Sequence, residues 1–357
     1  MSNQKKIVIF AAGTGGHIYP GISIAKKIIQ NNVSVVWIGT KKGIENKIVS
    51  KEKIPIEHIN FSGIRGKGYL EYLKLPFYLL KAIIEAVVVI RKHKPDLALS
   101  MGGYIGFPCG LAAYLLRVPI IIHEQNIIFG MSNNVLRHIS KKVILGLPMN
   151  LCQKKYKYLG NPCRFENSKI KKKINNKKFN ILIVGGSLGA KIFNEIIPQA
   201  IHSLKKMTDK EIDIIHQTGK TYKIAADQYK SIGIDVDVRE YIESIKEAYE
   251  WCDIVICRGG AITISEIMNL GKASIIVPYP YATDNHQMKN SKYLQNNNAA
   301  IVINQKNFTK EYLASLIISF IDNPKIKEAM SENILKLNKK DISKNICMEI
   351  MNELGVE

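Results

Sequence analysis

Six cysteines in 357 residues form no C-x-x-C pair and no clustered His/Cys spacing, which argues against both a disulfide framework and a zinc site. They read as reduced thiols of a cytosolic protein. Acidic residues are scarce: 30 Asp and Glu stand against 51 Lys and Arg, a formal charge of +21. The basic residues are scattered and accompany no nucleic-acid-binding motif, so nucleic acid is not an expected partner. Such a surface favours acidic lipid or a phosphorylated substrate. After its first lysines the chain has only about six apolar residues, short of the roughly 7–15 of a secretory signal core. The longest uncharged run, 97–116, is formally long enough to span a bilayer. It is interrupted by Gly102, Gly103, Gly106, Pro108 and Gly110, and a buried strand, turn and helix is the better reading. A soluble or peripheral protein is expected.

A hydrophobic content of 46% and a charged content of 23% are those of a globular chain, and the length implies two domains. The opening "KKIVIFAAGTGGHIYPGISIAKKI" reads as strand, glycine turn and helix, the arrangement by which a backbone offers free amides to an anion. It is neither a nucleotide-hydrolysing loop, which needs Lys then Ser or Thr, nor a G-x-G-x-x-G fingerprint, because His17 and Ile18 occupy those positions. "VSVVWIG", "LALSMGG" and "VPIIIHE" continue as buried parallel strands. Near residue 165 a polar, basic stretch, "NPCRFENSKIKKKINNKK", interrupts the pattern as a linker. The motif then returns as "FNILIVGGSLGAKIFNEII", followed by strands at "IDIIHQTG", "VDVREYI", "CDIVICRGG" and "ASIIVPYP". The fold class is α/β, two doubly wound parallel-sheet domains whose strand C-termini are expected at one cleft. Residues 331–354 have helical periodicity.

Several clusters carry chemistry. In "CDIVICRGGAITISEI" a strand meets a glycine turn and a helix start, where free amides with Thr263 and Ser265 suit a diphosphate and Glu266 a ribose diol. An ordinary capped connection is the competing reading. Asp284, Asn285, His286 and Gln287 follow another strand and offer the donors and acceptors that sugar hydroxyls need, or form a plain polar loop. His123, Glu124, Gln125 and Asn126 end a strongly apolar strand at its functional end. Asp235 and Asp237 imitate a metal-binding D-x-D pair, but Ile234, Val236 and Val238 alternate with them, so they read as a solvated strand face and no metal is expected. In 63–94, Glu71, Lys74, Lys81, Glu85 and Lys92 share one helical face, and the rest is more apolar than one stripe requires. Leu75, Phe77, Leu79 and Leu80, with Lys74, Lys81 and Arg65, suit a membrane surface; a buried helix is the alternative.

Together "GTGGHIYPG", "MGGYIGFPCGLAA", "HEQN", "NPCR", "GGSLGA", "CRGGAITISEI" and "DNHQMKNS" occur in the order and spacing of one family. From Lys5 to about Leu354 the chain resembles the MurG family of bacterial glycosyltransferases, which move N-acetylglucosamine from its UDP donor to undecaprenyl-diphosphate-linked muramyl pentapeptide. The resemblance implies the GT-B architecture, two Rossmann-like domains around a cleft. It implies an acceptor and membrane-side domain at 1–163, a UDP-sugar domain at 164–340, and a C-terminal helix, about 341–357, packed back on the first. By motif match Arg164 and Ser187 approach the diphosphate and Ile242 offers backbone groups to uracil. Ala261, Ile262, Thr263, Ile264, Ser265 and Glu266 wrap the diphosphate and ribose, and Gln287 reaches the sugar. Thr14, Gly15, Gly16 and Asn126 complete the donor site. Gly259 stands where related sequences often carry Ser, which removes one side-chain contact to the donor.

The implied reaction inverts the anomeric centre, with no covalent sugar intermediate, no metal and no cofactor. The muramyl 4-hydroxyl attacks as UDP leaves; His17 is the first candidate for the base and Glu124 the second. The implied place is the cytoplasmic face of the inner membrane, held peripherally on its anionic surface. Three alternatives stand beside it: a related glycosyltransferase with another lipid acceptor, a UDP-sugar epimerase of the same fold, and a non-enzymatic nucleotide-binding module.

Overall fold

The first strand, β1 (Lys6–Phe10), is apolar on both faces, which a strand requires only when both are covered. Ile7 and Ile9 enter one buried layer while Val8 and Phe10 enter the opposite one. In the computed structural model residues 4–63, 69–166, 178–186 and 189–356 are described, without the side chains of 69–72. The chain divides into two units, Met1–Glu166 with Lys339–Glu357, and Asn167–Asn338.

In the first unit β1 is followed by α1 (Gly15–Gln30), β2 (Ser34–Thr40), α2 (Glu45–Lys51), β3 (Ile56–Ile59) and α3 (Tyr69–His93). Then come β4 (Leu97–Ser100), α4 (Gly106–Leu115), β5 (Ile120–Glu124), α5 (Met131–Leu136), β6 (Lys142–Leu145) and β7 (Tyr156–Tyr158). The second unit begins with β8 (Lys178–Val184), α6 (Lys191–Lys205), β9 (Glu211–Gln217), α7 (Tyr222–Ser231) and β10 (Asp237–Arg239). It continues through α8 (Ile245–Trp251), β11 (Ile254–Cys257), α9 (Ala261–Leu270) and β12 (Ser274–Ile276). It ends with α10 (His286–Asn296), β13 (Ile301–Val302), α11 (Lys310–Asp322) and α12 (Pro324–Leu337). Helix α13 (Ile342–Leu354) returns to the first unit.

The first sheet runs β3-β2-β1-β4-β5-β6-β7 and the second β10-β9-β8-β11-β12-β13. Their central pairs are parallel, with Ile7 opposite Leu97 and Ile181 opposite Ile254. Both orders reverse direction at their first strand, beside β4 in one and beside β11 in the other. In such sheets ligands bind outside the strand C-termini at that switch point. Each unit has two glycine turns there: after β1 and β4 in the first, after β8 and β11 in the second.

Strands β3, β6, β7 and β13, only two to four residues long, fall outside the sequence pattern. The uncharged run at 97–116 is β4 and α4, and among the described residues no helix is long and apolar enough to cross a membrane. The helical stretch at 331–354 is broken by Asp341, at φ +52°, into α12 and α13. Ile342, Ile346, Ile350 and Leu354 of α13 enter the same layer as Ile18, Ile22 and Ile28 of α1. On its flank Glu349 takes Lys142 and Lys157 at 2.6 Å each. The first unit runs to Glu166. Phe165 is buried, and the Glu166 carboxylate accepts hydrogen bonds from the Ser343 amide (3.0 Å) and hydroxyl (2.8 Å) at the start of α13. Most of the linker, 167–177, lies outside the described residues.

Candidate active site

In the first unit the chain leaves β1 through Gly13, at φ +99°, where a Cβ would lie 2.9 Å from the Tyr104 ring. Only glycine fits that conformation and that approach. Thr14 is extended and caps α1 through its backbone, its carbonyl accepting from the His17 amide at 3.1 Å. Its hydroxyl lies 3.1 Å from His17 Nδ1. The imidazole lies beside the Gly102–Gly103 turn that follows β4, where a Cβ on either glycine would come within 3.6–3.8 Å of the ring. Gly15 and Gly16 are the first residues of α1, whose first turn contains no acidic side chain. Sequence order, strand order and turn geometry thus bring Thr14, Gly15, Gly16 and His17 to one place.

Beside it, β5 ends in three buried polar residues. Glu124 is 2% exposed. One of its oxygens accepts from the Asn126 amide (3.1 Å) and side chain (3.2 Å), the other from the Gly130 amide (3.0 Å) and Asn133 Nδ2 (2.9 Å). Four donors fill the acceptor capacity of an ionised carboxylate. Burial pushes the Glu124 carboxyl upward, and the donors from Asn133, Asn126 and Gly130 pull against that rise. His123 is buried between the Gly160 carbonyl (3.2 Å from Nε2) and Gln125 Nε2 (3.1 Å from Nδ1). Burial lowers its pKa to about 4, which keeps it neutral at physiological pH. His123 and Gln125 therefore knit the end of β5 to its neighbours.

Arg164 belongs to the first unit, its guanidinium 5.0 Å from the Tyr19 ring of α1. Three further residues support this site: Asn133 and Glu45, which no sequence motif marks, and Tyr104, which "MGGYIGFPCGLAA" contains without showing its role. The Tyr104 hydroxyl reaches Thr40 at 3.3 Å beneath the glycine turn. Asn133 fixes Glu124. Glu45, fully buried, accepts from the Thr40 amide and hydroxyl at 2.8 Å each and from the Gly13 amide at 3.4 Å. Each acts through a contact between separate elements, which periodicity cannot reveal.

In the second unit β11 is followed by Arg258, stacked on Phe193 (4.7 Å) and near Tyr279 (5.5 Å), and donating to the Val277 carbonyl at 2.9 Å. Burial lowers its pKa to about 10, still charged at neutral pH. Gly260 caps α9 with no side-chain bond, and the Ile264 amide already donates to the Gly260 carbonyl at 2.9 Å. The amides left to an anion at this helix start are those of Ala261, Ile262 and Thr263. The Ser265 hydroxyl donates back to the Ala261 carbonyl at 2.8 Å. Glu266 is buried one turn deeper and accepts from the Tyr249 hydroxyl at 3.2 Å. Ile242 is buried just beyond β10. Gln287, at the start of α10, accepts from the Tyr279 amide at 2.9 Å. Ser187 lies outside the described residues.

The Asp235 and Asp237 side chains point outward while Ile234 is buried and Val236 and Val238 pack on the core, and Arg239 forks onto Asp237 at 2.9 and 2.5 Å. On helix α3 Lys74, Lys81 and Lys92 are exposed, Lys92 pairing with Glu57 at 2.7 Å, and half-buried Glu85 accepts from the Asn60 amide at 2.5 Å. The outer face carries Leu73, Phe77, Leu80, Ile84 and Val88, with Phe77 75% exposed, while Leu75 and Leu79 are half-buried. The spacing of 4, 3, 4 and 4 is that of one helical face. Arg65 and the Glu71 side chain lie outside the described residues.

Two family models match the chain: the glycosyltransferase family 28 N-terminal domain over residues 7–145 and the glycosyltransferase family 28 C-terminal domain over residues 180–346. Among curated proteins it is similar to the UDP-N-acetylglucosamine–N-acetylmuramyl-(pentapeptide) pyrophosphoryl-undecaprenol N-acetylglucosamine transferase of Pseudoalteromonas translucida, 38% identical over 97% of each chain. The protein of the same name from Haemophilus ducreyi is 39% identical over 94% of this chain and 95% of that one. Among solved structures it is similar to MurG of Acinetobacter baumannii, with a TM-score of 0.80 and 32% identity over 98% of this chain and 99% of the other. A UDP-N-acetylglucosamine 2-epimerase, with a TM-score of 0.68 and 12% identity, shares the fold alone.

Proposed function

The chain belongs to glycosyltransferase family 28, in its MurG branch, and we infer that it is an inverting N-acetylglucosaminyltransferase of peptidoglycan synthesis. It moves N-acetylglucosamine from UDP-N-acetylglucosamine to the 4-hydroxyl of undecaprenyl-diphosphate-linked N-acetylmuramyl pentapeptide. The second unit takes the donor. Its Ala261, Ile262 and Thr263 amides meet the diphosphate, Ile264 and Ser265 continue that turn toward the ribose, and Glu266 accepts from the ribose diol. Ile242 offers backbone groups to uracil and Gln287 reaches the sugar. By motif match Ser187, and in the first unit Thr14, Gly15, Gly16, Asn126 and Arg164, are also assigned to the donor. As UDP leaves, negative charge grows on its diphosphate, and preorganised donors there are each worth roughly 2.7–4 kcal/mol of barrier.

One observation carries the choice of base. All four acceptor positions of Glu124 are filled by Asn126, Gly130 and Asn133, which makes it the brace of the β5–α5 loop. His17 takes the proton. In the tautomer that donates from Nδ1 to the Thr14 hydroxyl, 3.1 Å away, Nε2 is the basic nitrogen. His17→Ala should lower kcat by roughly 10²–10⁴ while donor KM moves less than about twofold. A modest loss at His17, beside a collapse of kcat in a well-folded Glu124→Gln variant, would transfer the role to the carboxylate.

The protein works at the cytoplasmic face of the inner membrane, where the outer face of α3, with exposed Lys74 and Lys81 beside its apolar stripe, rests on anionic lipid.

A further inference from the structure

Glu266 is assigned the ribose diol, and the role of its neighbour Tyr249 rests on that reading. A diol presents two hydroxyl donors and needs an acceptor whose lone pairs keep one direction. Nothing in a Glu side chain fixes that direction by itself, because its three torsions rotate. Around Glu266 the protein supplies the constraint. The Tyr249 hydroxyl donates to Glu266 Oε2 at 3.2 Å from a fully buried ring on α8. Burial first, and then the Glu266 charge, push the Tyr249 phenol well above its ordinary value, so it stays a neutral donor. The Cys257 thiol at the end of β11 is pushed up by the same two causes and also keeps its proton.

The position of Tyr249 does not depend on Glu266. Helix α8 is held at its C-terminal end by Lys272, whose ammonium donates to the carbonyls of Cys252 (2.9 Å) and Glu250 (3.3 Å). The Cys252 thiol donates to the Tyr249 carbonyl at 3.3 Å, and the Tyr249 ring is packed on every side. The hydroxyl is therefore a fixed point against which the carboxylate is aimed.

We propose that Tyr249 is a positioning residue for donor recognition: its hydroxyl holds one oxygen of Glu266 so that the carboxylate presents its acceptors to the ribose diol. Removing only that hydroxyl leaves ring packing intact and the carboxylate less constrained.

The test is Tyr249→Phe, assayed with UDP-N-acetylglucosamine and with its analogue lacking the ribose 2′-hydroxyl, beside Glu266→Ala. With the natural donor, Tyr249→Phe should raise donor KM about tenfold, the loss expected for one hydrogen bond to a charged group. The acceptor KM should not change. With the deoxy donor the penalty of the substitution should shrink to about twofold or less, because the interaction it supports is already reduced. An equal penalty with both donors would overturn the proposal, since the hydroxyl would then act on the fold and not on ribose contact. If Glu266→Ala itself leaves donor KM unchanged, the ribose assignment of Glu266 falls, and the role of Tyr249 falls with it.

Discussion

At position 259 a Cβ would collide with Ser291 Oγ and with the Gln287 carbonyl oxygen. The glycine turn after β11 and the start of α10 are in contact, and Asn290 ties them further by donating to the Gly259 carbonyl at 3.3 Å. A serine there would push α10, and with it Gln287. Gly259→Ser should therefore destabilise the protein by about 1–3 kcal/mol in urea unfolding, the usual range for overpacking, and should not tighten donor binding. Unchanged stability with a lower donor KM would show that Gly259 is only a missing contact. The side chains with a motif around them, His17, Glu124, Arg258 and Glu266, are legible in the sequence because a strand end and a glycine turn announce them. Tyr249, Asn133 and Glu45 are not, and Tyr104, although inside "MGGYIGFPCGLAA", gives no sign of its role there. Each is an ordinary residue in an ordinary helix or loop until the fold sets its polar atom against a partner 9 to 64 positions away.

At the scale of elements, long buried strands such as β1, β2, β8 and β9 are visible as apolar runs, because both faces of a central parallel strand are covered. The edge strands are short, β3 and β7 mixed in polarity and β13 only two residues long, so their pattern is no stronger than a loop's. Helix α3 carries more than the charge spacing tells: Lys74, Lys81 and Lys92 are exposed, Glu85 and Lys92 reach Asn60 and Glu57, and aliphatic side chains also face out. That stripe needs a cover, and the proposed one is an anionic bilayer. Replacing Phe77, Leu80 and Ile84 with Ser should reduce affinity for anionic vesicles by at least about tenfold, since even one apolar side chain leaving water is worth about 1.5–3 kcal/mol. Turnover of a water-soluble acceptor should be unaffected, because these side chains are exposed in the folded protein. Full vesicle binding by the triple variant would remove the stripe from the membrane contact.

For the whole molecule, the repetition of strand, glycine turn and helix is legible as two doubly wound units, and the structure gives both the same order through six strands, β7 being an extra edge strand of the first. What sequence pattern alone cannot supply is the path of the last helix. Its apolar face fits a layer built from α1 and β1, and only the assembled first unit offers that layer. The reaction itself is tested most directly through its products. Purified protein should release UDP from UDP-N-acetylglucosamine only when lipid-linked muramyl pentapeptide is present, one UDP for each disaccharide formed. Nuclear magnetic resonance of that product should show N-acetylglucosamine joined to the muramyl 4-hydroxyl with the anomeric configuration opposite to that in the donor. Retained configuration, or an epimerised sugar formed from the donor without acceptor, would contradict the account.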